Sequence, residues 1–327
     1  MYQDEYERWL QADLQDVDLK TELQNIKGDD DAIKERFAVA LKFGTAGLRG
    51  TLGAGTNRMN IWVVRQATQG VADWVKTQGG TQTVAISYDS RLKGWNFARD
   101  AAGVLAANGI HVRIYDELMP VPALSFATRY YHCNAGIMVT ASHNPAKYNG
   151  YKAYGPDGCQ MTDEAADIVY QQIQKTDVLT GAKYMSFAEG VNKGLIQFVE
   201  DDCKNALYEA IEARQIRPGI AATSGLKLVY SPLNGTGLVP VTRVLNDIGI
   251  HDITIVPEQE HPDGHFPTCP YPNPEIREAM QKGLELCDKV KPDIMIGTDP
   301  DCDRCGTAVP DGKGGYRLIS GNEMGVI

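Results

Sequence analysis

The feature that most constrains the fold is a pattern of segments that occurs twice along the chain. In each copy an apolar run is followed by a glycine-containing loop, a helical segment, a Gly-Ile-His sequence and a second apolar run. Short apolar runs that alternate with helical segments are typical of parallel βαβ units. The sequence therefore predicts an α/β protein: two tandem related α/β domains with mixed, mostly parallel sheets flanked by helices.

The predicted strands place two polar residues at equivalent points of the two copies. The clearest strands are residues 84–88, 112–115 and 136–139 in the first copy and 226–230, 253–256 and 294–296 in the second. On this alignment Ser142 and Asp299 each follow the carboxyl end of a strand. Open α/β sheets bind ligands beyond the carboxyl ends of their strands, so both positions are candidates for a functional site.

The same patterns divide the 327 residues into three parts. Residues 1–200 form a first domain with a helical extension at its start, residues 201–316 form a second domain, and residues 317–327 begin a third, with the first boundary near 198–202. Apolar residues recur at helical spacing in the extension, which we expect to end at Phe43 and Gly44. Ser320 resembles a helix cap, yet only one helical turn follows it, so we expect the chain to be truncated.

The charge balance restricts the class of partner. There are 32 Lys and Arg residues against 42 Asp and Glu residues, which gives a net charge of −10. This charge argues against a nucleic acid or an anionic membrane as the main partner, because both require positive charge. The N-terminus does not have the order of a secretory signal, and no apolar stretch is long enough for a membrane helix. Seven scattered cysteines fit reduced thiols, so we expect a cytoplasmic protein.

A first candidate site lies in residues 140–145, Thr-Ala-Ser-His-Asn-Pro, which are followed at 148–152 by Tyr-Asn-Gly-Tyr-Lys. A serine at a strand-to-loop turn can present its hydroxyl and nearby N–H groups to an anionic group. Ser142 is therefore a candidate nucleophile. The alternative is a polar turn, because a histidine next to a serine in sequence does not make a catalytic dyad. No Gly-x-Ser-x-Gly motif surrounds Ser142, which disfavours an esterase.

A second candidate site lies in residues 299–304, Asp-Pro-Asp-Cys-Asp-Arg. Three carboxylates in one short loop repel one another and raise each other's pKa unless a cation neutralises them. Oxygen ligands in this number suit Mg²⁺. An EF-hand is excluded, because its sixth position requires Gly and is Arg304, while its twelfth requires Glu and is Pro310. We favour metal binding over a solvated acidic turn.

Glycine-rich segments offer a third, weaker signal. Residues 43–51, Phe-Gly-Thr-Ala-Gly-Leu-Arg-Gly-Thr, would allow close approach of a ligand to the backbone, and Arg49 could form a bidentate contact with phosphate. This segment matches neither a Walker nor a dinucleotide-binding pattern. Residues 234–240 resemble a dinucleotide-binding turn, but Pro240 replaces the third glycine. We therefore do not favour a dinucleotide site there. Cys302 and Cys305 form a C-x-x-C pair, but no second pair follows, so a zinc or redox site is not favoured either.

Together, the three segments resemble the alpha-D-phosphohexomutase superfamily, in particular bacterial phosphoglucomutase/phosphomannomutase, from about residue 43 to the end of the chain. The resemblance implies that Ser142 is a phosphoserine nucleophile. It also implies metal ligands for one Mg²⁺, namely Asp299, Asp301, Asp303 and Ser142. Roles in proton transfer or charge stabilisation would fall to Arg49, Lys152 and His143. Contacts to the substrate or its phosphate would come from Thr45, Arg49, Asn144 and Arg304.

The resemblance also implies a reaction. Phospho-Ser142 would transfer its phosphoryl group to the free hydroxyl of a hexose monophosphate, with glucose or mannose as the sugar. The hexose 1,6-bisphosphate so formed, which also serves as activator, would return its other phosphoryl group to Ser142. The net result is interconversion of hexose 1-phosphate and hexose 6-phosphate, so a small sugar phosphate is the expected partner. Phosphoryl transfer depends on positioning and on cations near the transferring oxygens, which the residue types supply.

One departure from the family pattern limits this expectation. Family members have four domains, with a Gly-Glu-x-Ser-Gly loop in the third and an Arg-x-Ser-Gly-Thr loop in the fourth, and neither motif occurs in these 327 residues. We therefore expect the chain alone to have little mutase activity. Three alternatives stay open: a phosphopentomutase of the same superfamily, a sugar-phosphate phosphohydrolase in which water takes the phosphoryl group, and a non-catalytic sugar-phosphate or dinucleotide-binding module.

Overall fold

The computed structural model describes residues 1–45 and 47–327, so Ala46 of the first glycine-rich segment lies outside the described residues. The helices are α1 (Tyr2–Gln11), α2 (Val17–Asn25), α3 (Asp30–Phe37), α4 (Ile61–Lys76), α5 (Gly94–Ala107), α6 (Val121–Tyr130), α7 (Asp163–Lys175), α8 (Phe187–Asn192), α9 (Asp201–Glu212), α10 (Ile220–Ser224), α11 (Leu238–Asp247), α12 (Arg277–Val290) and α13 (Gly321–Val326). The strands are β1 (Leu48–Thr51), β2 (Thr83–Tyr88), β3 (His111–Ile114), β4 (Ala135–Val139), β5 (Tyr148–Tyr154), β6 (Ile196–Phe198), β7 (Lys227–Ser231), β8 (Asp252–Ile255), β9 (Ile294–Thr298), β10 (Cys305–Pro310) and β11 (Tyr316–Ile319).

The first sheet has the strand order β1-β5-β4-β2-β3-β6. Strands β4, β2, β3 and β6 are parallel neighbours. At one edge of the sheet, β5 runs antiparallel to β4, and β1 runs antiparallel to β5. Val84 and Ile86 of β2 pack into one apolar cluster and Ala85 packs into another, so both faces of this strand are buried. Burial throughout β2 and β4 explains why these two central strands consist mainly of apolar residues.

The second sheet repeats the arrangement of the first. Its order is β11-β10-β9-β7-β8. Strand β7 lies between two parallel neighbours, β8 and β9, and β10 runs antiparallel to β9. Strands β3, β2, β4 and β5 have the same order and directions. The predicted fold class, two tandem related α/β domains with mixed sheets flanked by helices, is thereby confirmed.

All six strands predicted from the sequence are present, with ends shifted by no more than two residues. The additional strands lie toward the edges of the sheets: β1, β5, β6, β10 and β11.

The N-terminal extension forms the three helices α1, α2 and α3. Its apolar residues Trp9, Leu23 and Phe37 are buried and belong to the same cluster as the core of the first sheet. The Trp9 and Phe37 rings meet edge to face, with centroids 5.8 Å apart. The helical prediction is confirmed, but the last helix ends at Phe37 and not at Phe43. Beyond the helix, Leu41 N–H donates to the carbonyl of Thr56, at 2.9 Å.

Helix α9 contacts a helix of each half of the chain, α6 and α11. Its residues Cys203 and Leu207 pack into the apolar cluster that contains Leu124 of α6, and the helix also contacts α11. The division of the chain near residue 200 and the further division near 316 stay predictions.

The helix cap predicted at Ser320 is present, because Ser320 Oγ accepts a hydrogen bond from Glu323 N–H at 3.2 Å. Among the described residues, the helices are too short or too polar to cross a membrane.

Candidate active site and metal centre

Ser142 lies in the turn that follows β4, beyond the carboxyl end of that strand. Its backbone has a φ of 54°, and its side chain is buried. Ser142 Oγ donates a hydrogen bond to Asp299 Oδ2 at 3.1 Å and lies 3.2 Å from His143 Nδ1. The two positions that the repeat placed at equivalent strand ends are therefore in direct contact across the two domains.

Three carboxylates gather at the end of β9. One oxygen from each of Asp299, Asp301 and Asp303 lies within 4.8 Å of the others. Asp299 Oδ1 accepts hydrogen bonds from the N–H groups of Asp303 and Arg304, at 3.2 and 3.0 Å, which folds the loop around that carboxylate. Burial, followed by the charges of Asp301 and Asp303, raises the pKa of Asp299. Asp299 and Asp301 are buried and Asp303 is exposed, so two of the three carboxylates have little solvent to offset their mutual repulsion.

Lys152 on β5 contacts the same cluster. Its Nζ lies 2.8 Å from Asp301 Oδ2 and 3.2 Å from Asp303 Oδ2. Burial alone would lower the pKa of Lys152, but the charges of Asp301 and Asp303 outweigh it and raise that pKa. Burial would likewise raise the pKa of Asp301, but Lys152 lowers it. Lys152 and Asp301 therefore form a buried ion pair, as in other proteins where a buried charge requires a partner.

The donor set fits a divalent cation. One ammonium group cannot neutralise three carboxylates, and Asp301 Oδ1 is buried without a hydrogen-bond partner among residues 1–45 and 47–327. Carboxylate oxygens are the ligands that Mg²⁺ prefers, together with water and phosphate oxygens. Asp299, Asp301 and Asp303 could hold such an ion beside Ser142 Oγ.

The other candidate residues predicted from the sequence lie around this centre. Burial lowers the pKa of His143, and the charges of Arg304 and Arg49 lower it further. Arg49 is exposed on β1, opposite Gly150 of β5. Arg304 binds the cluster through its backbone, and its guanidinium lies 3.8 Å from a carboxylate oxygen of Glu275.

Thr45 and Asn144 are the two remaining candidates, predicted to contact the substrate or its phosphate. Thr45 occupies the turn before β1. Gly47, two residues further along the chain, fits only because it has no side chain, since a Cβ there would lie 1.8 Å from the carbonyl oxygen of Tyr151. Asn144 is held through its backbone, because its N–H donates to the carbonyl of Ala141 at 3.1 Å. Within residues 1–45 and 47–327, no side-chain hydrogen bond ties either residue to the carboxylates. Their proposed contact with substrate stays a prediction.

Sequence reasoning missed a polar network behind the serine. Thr140 Oγ1 lies 2.6 Å from Asp89 Oδ2 and 3.2 Å from Asp301 Oδ2, and it accepts a hydrogen bond from Ser142 N–H at 2.8 Å. Burial raises the pKa of Asp89 to about 6, although Arg91 opposes that shift. A usable signal was present, because Asp89 and Arg91 follow β2 at the same sheet edge as Ser142.

The glycine-rich segment at 234–237 packs against the loop at 299–304, which carries the three aspartates. A Cβ on Gly235 would lie 2.4 Å from Pro300 Cα, and Thr236 N–H donates to the carbonyl of Pro300 at 2.9 Å. These glycines allow close packing against the loop that carries the aspartates. The nearby Cys302 and Cys305 are free thiols.

Comparison with known proteins identifies the family. Residues 40–179 match the model of the phosphoglucomutase/phosphomannomutase alpha/beta/alpha domain I, and residues 205–313 match that of domain II. The chain belongs to the phosphoglucomutase/phosphomannomutase family. A phosphoglucomutase of Staphylococcus saprophyticus is 35% identical over 291 residues, which covers 89% of this chain and 52% of the relative. A phosphoglucomutase of Staphylococcus aureus USA300 is 33% identical over 294 residues, with 90% and 52% covered.

Solved structures of the family share the fold. A Thermus thermophilus protein assigned as a phosphomannomutase superimposes with a TM-score of 0.70 at 25% identity, over 85% of this chain and 58% of that one. A phosphoglucomutase/phosphomannomutase family protein from Burkholderia thailandensis gives 0.66 at 24% identity, over 85% and 55%. The chain spans about half the length of the curated relatives that it matches.

Proposed function

We propose that this chain carries the phosphoryl-transfer centre of a phosphohexomutase, which interconverts hexose 1-phosphate and hexose 6-phosphate through a phosphorylated Ser142. The observation that supports this most directly is the 3.1 Å contact between Ser142 Oγ and Asp299 Oδ2, within a cluster of three carboxylates. A hydroxyl beside a cation site is what phosphoryl transfer requires, because that reaction depends mainly on positioning and charge.

Each residue has a proposed part in the transfer. The bond between phosphorus and Ser142 Oγ breaks while a bond forms to the free hydroxyl of a hexose monophosphate, and Ser142 keeps the electron pair. The attacking and leaving oxygens lie roughly in line on opposite sides of phosphorus. His143 Nδ1, 3.2 Å from Ser142 Oγ, is therefore placed to give a proton to that leaving oxygen, while the proton that the attacking hydroxyl loses passes to solvent. Lys152, Arg49 and Arg304 would supply positive charge near the transferring oxygens.

The metal completes this charge balance. Asp299, Asp301, Asp303 and an oxygen on Ser142 would hold one Mg²⁺, which when bound neutralises charge on the transferring phosphoryl group. The hexose 1,6-bisphosphate formed in the first transfer would return its other phosphoryl group to Ser142. Glucose is the first sugar to test, since the Staphylococcus relatives are named phosphoglucomutases, and mannose is the second.

Mass spectrometry tests the proposal directly. The 327-residue chain is incubated with glucose 1,6-bisphosphate and Mg²⁺, and its intact mass and peptide map are measured. We expect one phosphoryl group on Ser142, absent in Ser142→Ala and present in the matched control Ser125→Ala. A wild-type chain that never gains a phosphoryl group would refute the proposal. Steady release of inorganic phosphate would instead indicate a phosphohydrolase.

Net turnover is a separate measurement. The chain alone should convert little glucose 1-phosphate to glucose 6-phosphate, because the two loops expected to bind the sugar and the distal phosphate do not occur in its sequence. A coupled assay of glucose 6-phosphate formation checks this expectation. Robust turnover would contradict it and would show that these 327 residues suffice for sugar binding.

A further inference from the structure

Arg91, in the loop after β2, holds the backbone of the serine loop. Its Nη1 donates to the carbonyls of Pro145 and Tyr148, both at 3.0 Å. Its Nη2 donates to the carbonyl of Ser142 at 2.6 Å and also to that of Asn144. One guanidinium therefore satisfies four carbonyls between residues 142 and 148.

A guanidinium suits this position better than an ammonium group. Arginine presents its N–H donors in a rigid planar fork, whereas lysine has one compact charge on a flexible stem. The Arg91 side chain is fully buried, so a carbonyl that lost this partner would have no water to replace it. The contacts thus depend on the shape of the side chain as well as on its charge.

The serine loop needs such support because Ser142 is in a strained conformation. Its φ of 54° lies in the left-handed region, which a non-glycine residue keeps only when its surroundings impose it. The hydrogen bond from Arg91 to the carbonyl of Ser142 fixes the peptide group that follows this φ. The same conformation directs Oγ to Asp299 Oδ2.

Arg91 is itself fixed from both domains. The side-chain Nε of Arg91 lies 3.6 Å from Asp89 Oδ2, and the backbone N–H of Arg91 donates to Asp89 Oδ1 at 3.0 Å. From the second domain, the ring of Phe266 lies 5.1 Å from the guanidinium carbon. Nearby, a Cβ on Gly264 would lie 2.6 Å from the backbone nitrogen of Leu92, so the two domains are in close contact here.

We infer that Arg91 is a positioning residue for the nucleophile: its four hydrogen bonds to backbone carbonyls hold Ser142 Oγ in line with the aspartate cluster of the second domain. Arg91 itself bonds to neither Ser142 Oγ nor the carboxylate of Asp299, so it acts through the loop. This inference rests on the proposed function of Ser142 as phosphoryl acceptor.

The test compares Arg91→Lys with the matched control Arg65→Lys. Arg65 is also buried, but it pairs with Asp100 and stacks on Tyr184, away from the serine loop. For each variant the rate of Ser142 phosphorylation by glucose 1,6-bisphosphate is followed by intact mass, with its half-saturating concentration. Mg²⁺ affinity, thermal midpoint and hydrogen–deuterium exchange of residues 140–150 are measured on the same samples.

Arg91→Lys should lower the maximal rate about 100-fold and leave the half-saturating concentration and Mg²⁺ affinity within about twofold, since a small misplacement of a reacting atom has that effect. Exchange should increase in residues 140–150 only, and guanidinium ion should partly restore the rate of Arg91→Ala. Arg65→Lys should react like wild type.

Several results would overturn the inference. An unchanged rate in Arg91→Lys would do so, as would a fall in rate accompanied by an equal fall in Mg²⁺ affinity and a general rise in exchange. If wild type is not phosphorylated at all, the proposed function fails, and the exchange measurement alone decides whether Arg91 positions the loop. Unchanged protection of residues 140–150 would then contradict the inference.

Discussion

Ser142 Oγ lies 3.1 Å from Asp299 Oδ2, although 157 residues separate the two in sequence. The two residues stand at corresponding strand ends of repeated α/β units, Ser142 after β4 and Asp299 after β9. The repeated units therefore face each other with the ligand-binding edges of their sheets, and the site lies between them. In the second domain, the carbonyl of Asp301 accepts a hydrogen bond from Val121 N–H of the first domain at 2.9 Å, which further joins the two edges.

Replacement of Asp301 by asparagine should weaken Mg²⁺ binding. The substitution removes one charge from the cluster and leaves Lys152 with Asp303 as its remaining ion-pair partner. We expect affinity to fall at least about tenfold, because Mg²⁺ binding depends on charged oxygens. Isothermal titration calorimetry gives the comparison, with the exposed Asp288→Asn as control. Equal affinities in Asp301→Asn and wild type would rule out this carboxylate as a ligand.

Replacement of Lys152 by methionine should destabilise the metal-free protein. It leaves the buried carboxylate of Asp301 without its ion-pair partner, and loss of one member of a buried pair costs about 3–5 kcal/mol. Mg²⁺ should recover part of this loss by neutralising the carboxylates. Urea denaturation with and without Mg²⁺ measures both effects.

The exposed ion pair between Lys193 and Glu189, 2.7 Å apart, supplies the control for that experiment. Lys193→Met should cost no more than about 0.5 kcal/mol, as is usual for exposed helical pairs. A Lys152→Met variant that is as stable as Lys193→Met without Mg²⁺ would show that Lys152 does not balance the charge of the cluster.

The sequence allowed the fold and most of the centre to be predicted, because their signals are local. Strands β2 and β4 are buried throughout and β9 is buried or half-buried along its length, so these strands have apolar runs that could be recognised in the sequence. Strand β5 was missed because it lies toward the sheet edge and contains the polar sequence Tyr-Asn-Gly-Tyr-Lys. That strand nevertheless carries Lys152.

Arg91 could not be assigned from the sequence because its role depends on contacts between separate segments. Its hydrogen bonds reach carbonyls more than 50 residues away, and any residue type can supply a carbonyl. The 3.1 Å contact of Ser142 with Asp299 could likewise not be predicted from the sequence, since the repeat predicts equivalent positions but not how the domains pack. The resemblance to the family suggested that these residues act together, and the structure supplied the distance.

Truncation of Trp9 to alanine should show that the N-terminal helices are part of the first domain. Trp9 is fully buried in the cluster that contains the core of the first sheet, so its removal should cost about 3–5 kcal/mol. Chemical denaturation should show one transition at lower denaturant. The exposed Val17→Ala should change stability by less than about 0.5 kcal/mol. An early separate transition in Trp9→Ala would show instead that the helices unfold independently.

A methyl group at Gly235 should disturb the metal centre from behind. Its Cβ would lie 2.4 Å from Pro300 Cα, and Pro300 separates the proposed ligands Asp299 and Asp301 in the chain. Relief of that clash must move the loop at 299–304, because the obstructing atom belongs to its backbone. We expect Gly235→Ala to cost about 1–3 kcal/mol, as overpacking does, and to weaken Mg²⁺ binding.

Gly79→Ala is the matched control, since a Cβ at Gly79 would meet no atom of the described residues within 4 Å. Denaturation and calorimetry on both variants separate a general effect of alanine from one on the loop. Wild-type Mg²⁺ affinity in Gly235→Ala would mean that the loop adjusts without moving its carboxylates, and the segment at 234–237 would then have no part in shaping the site. Weaker binding in Gly235→Ala alone would show that close packing of this glycine sets the position of the aspartates.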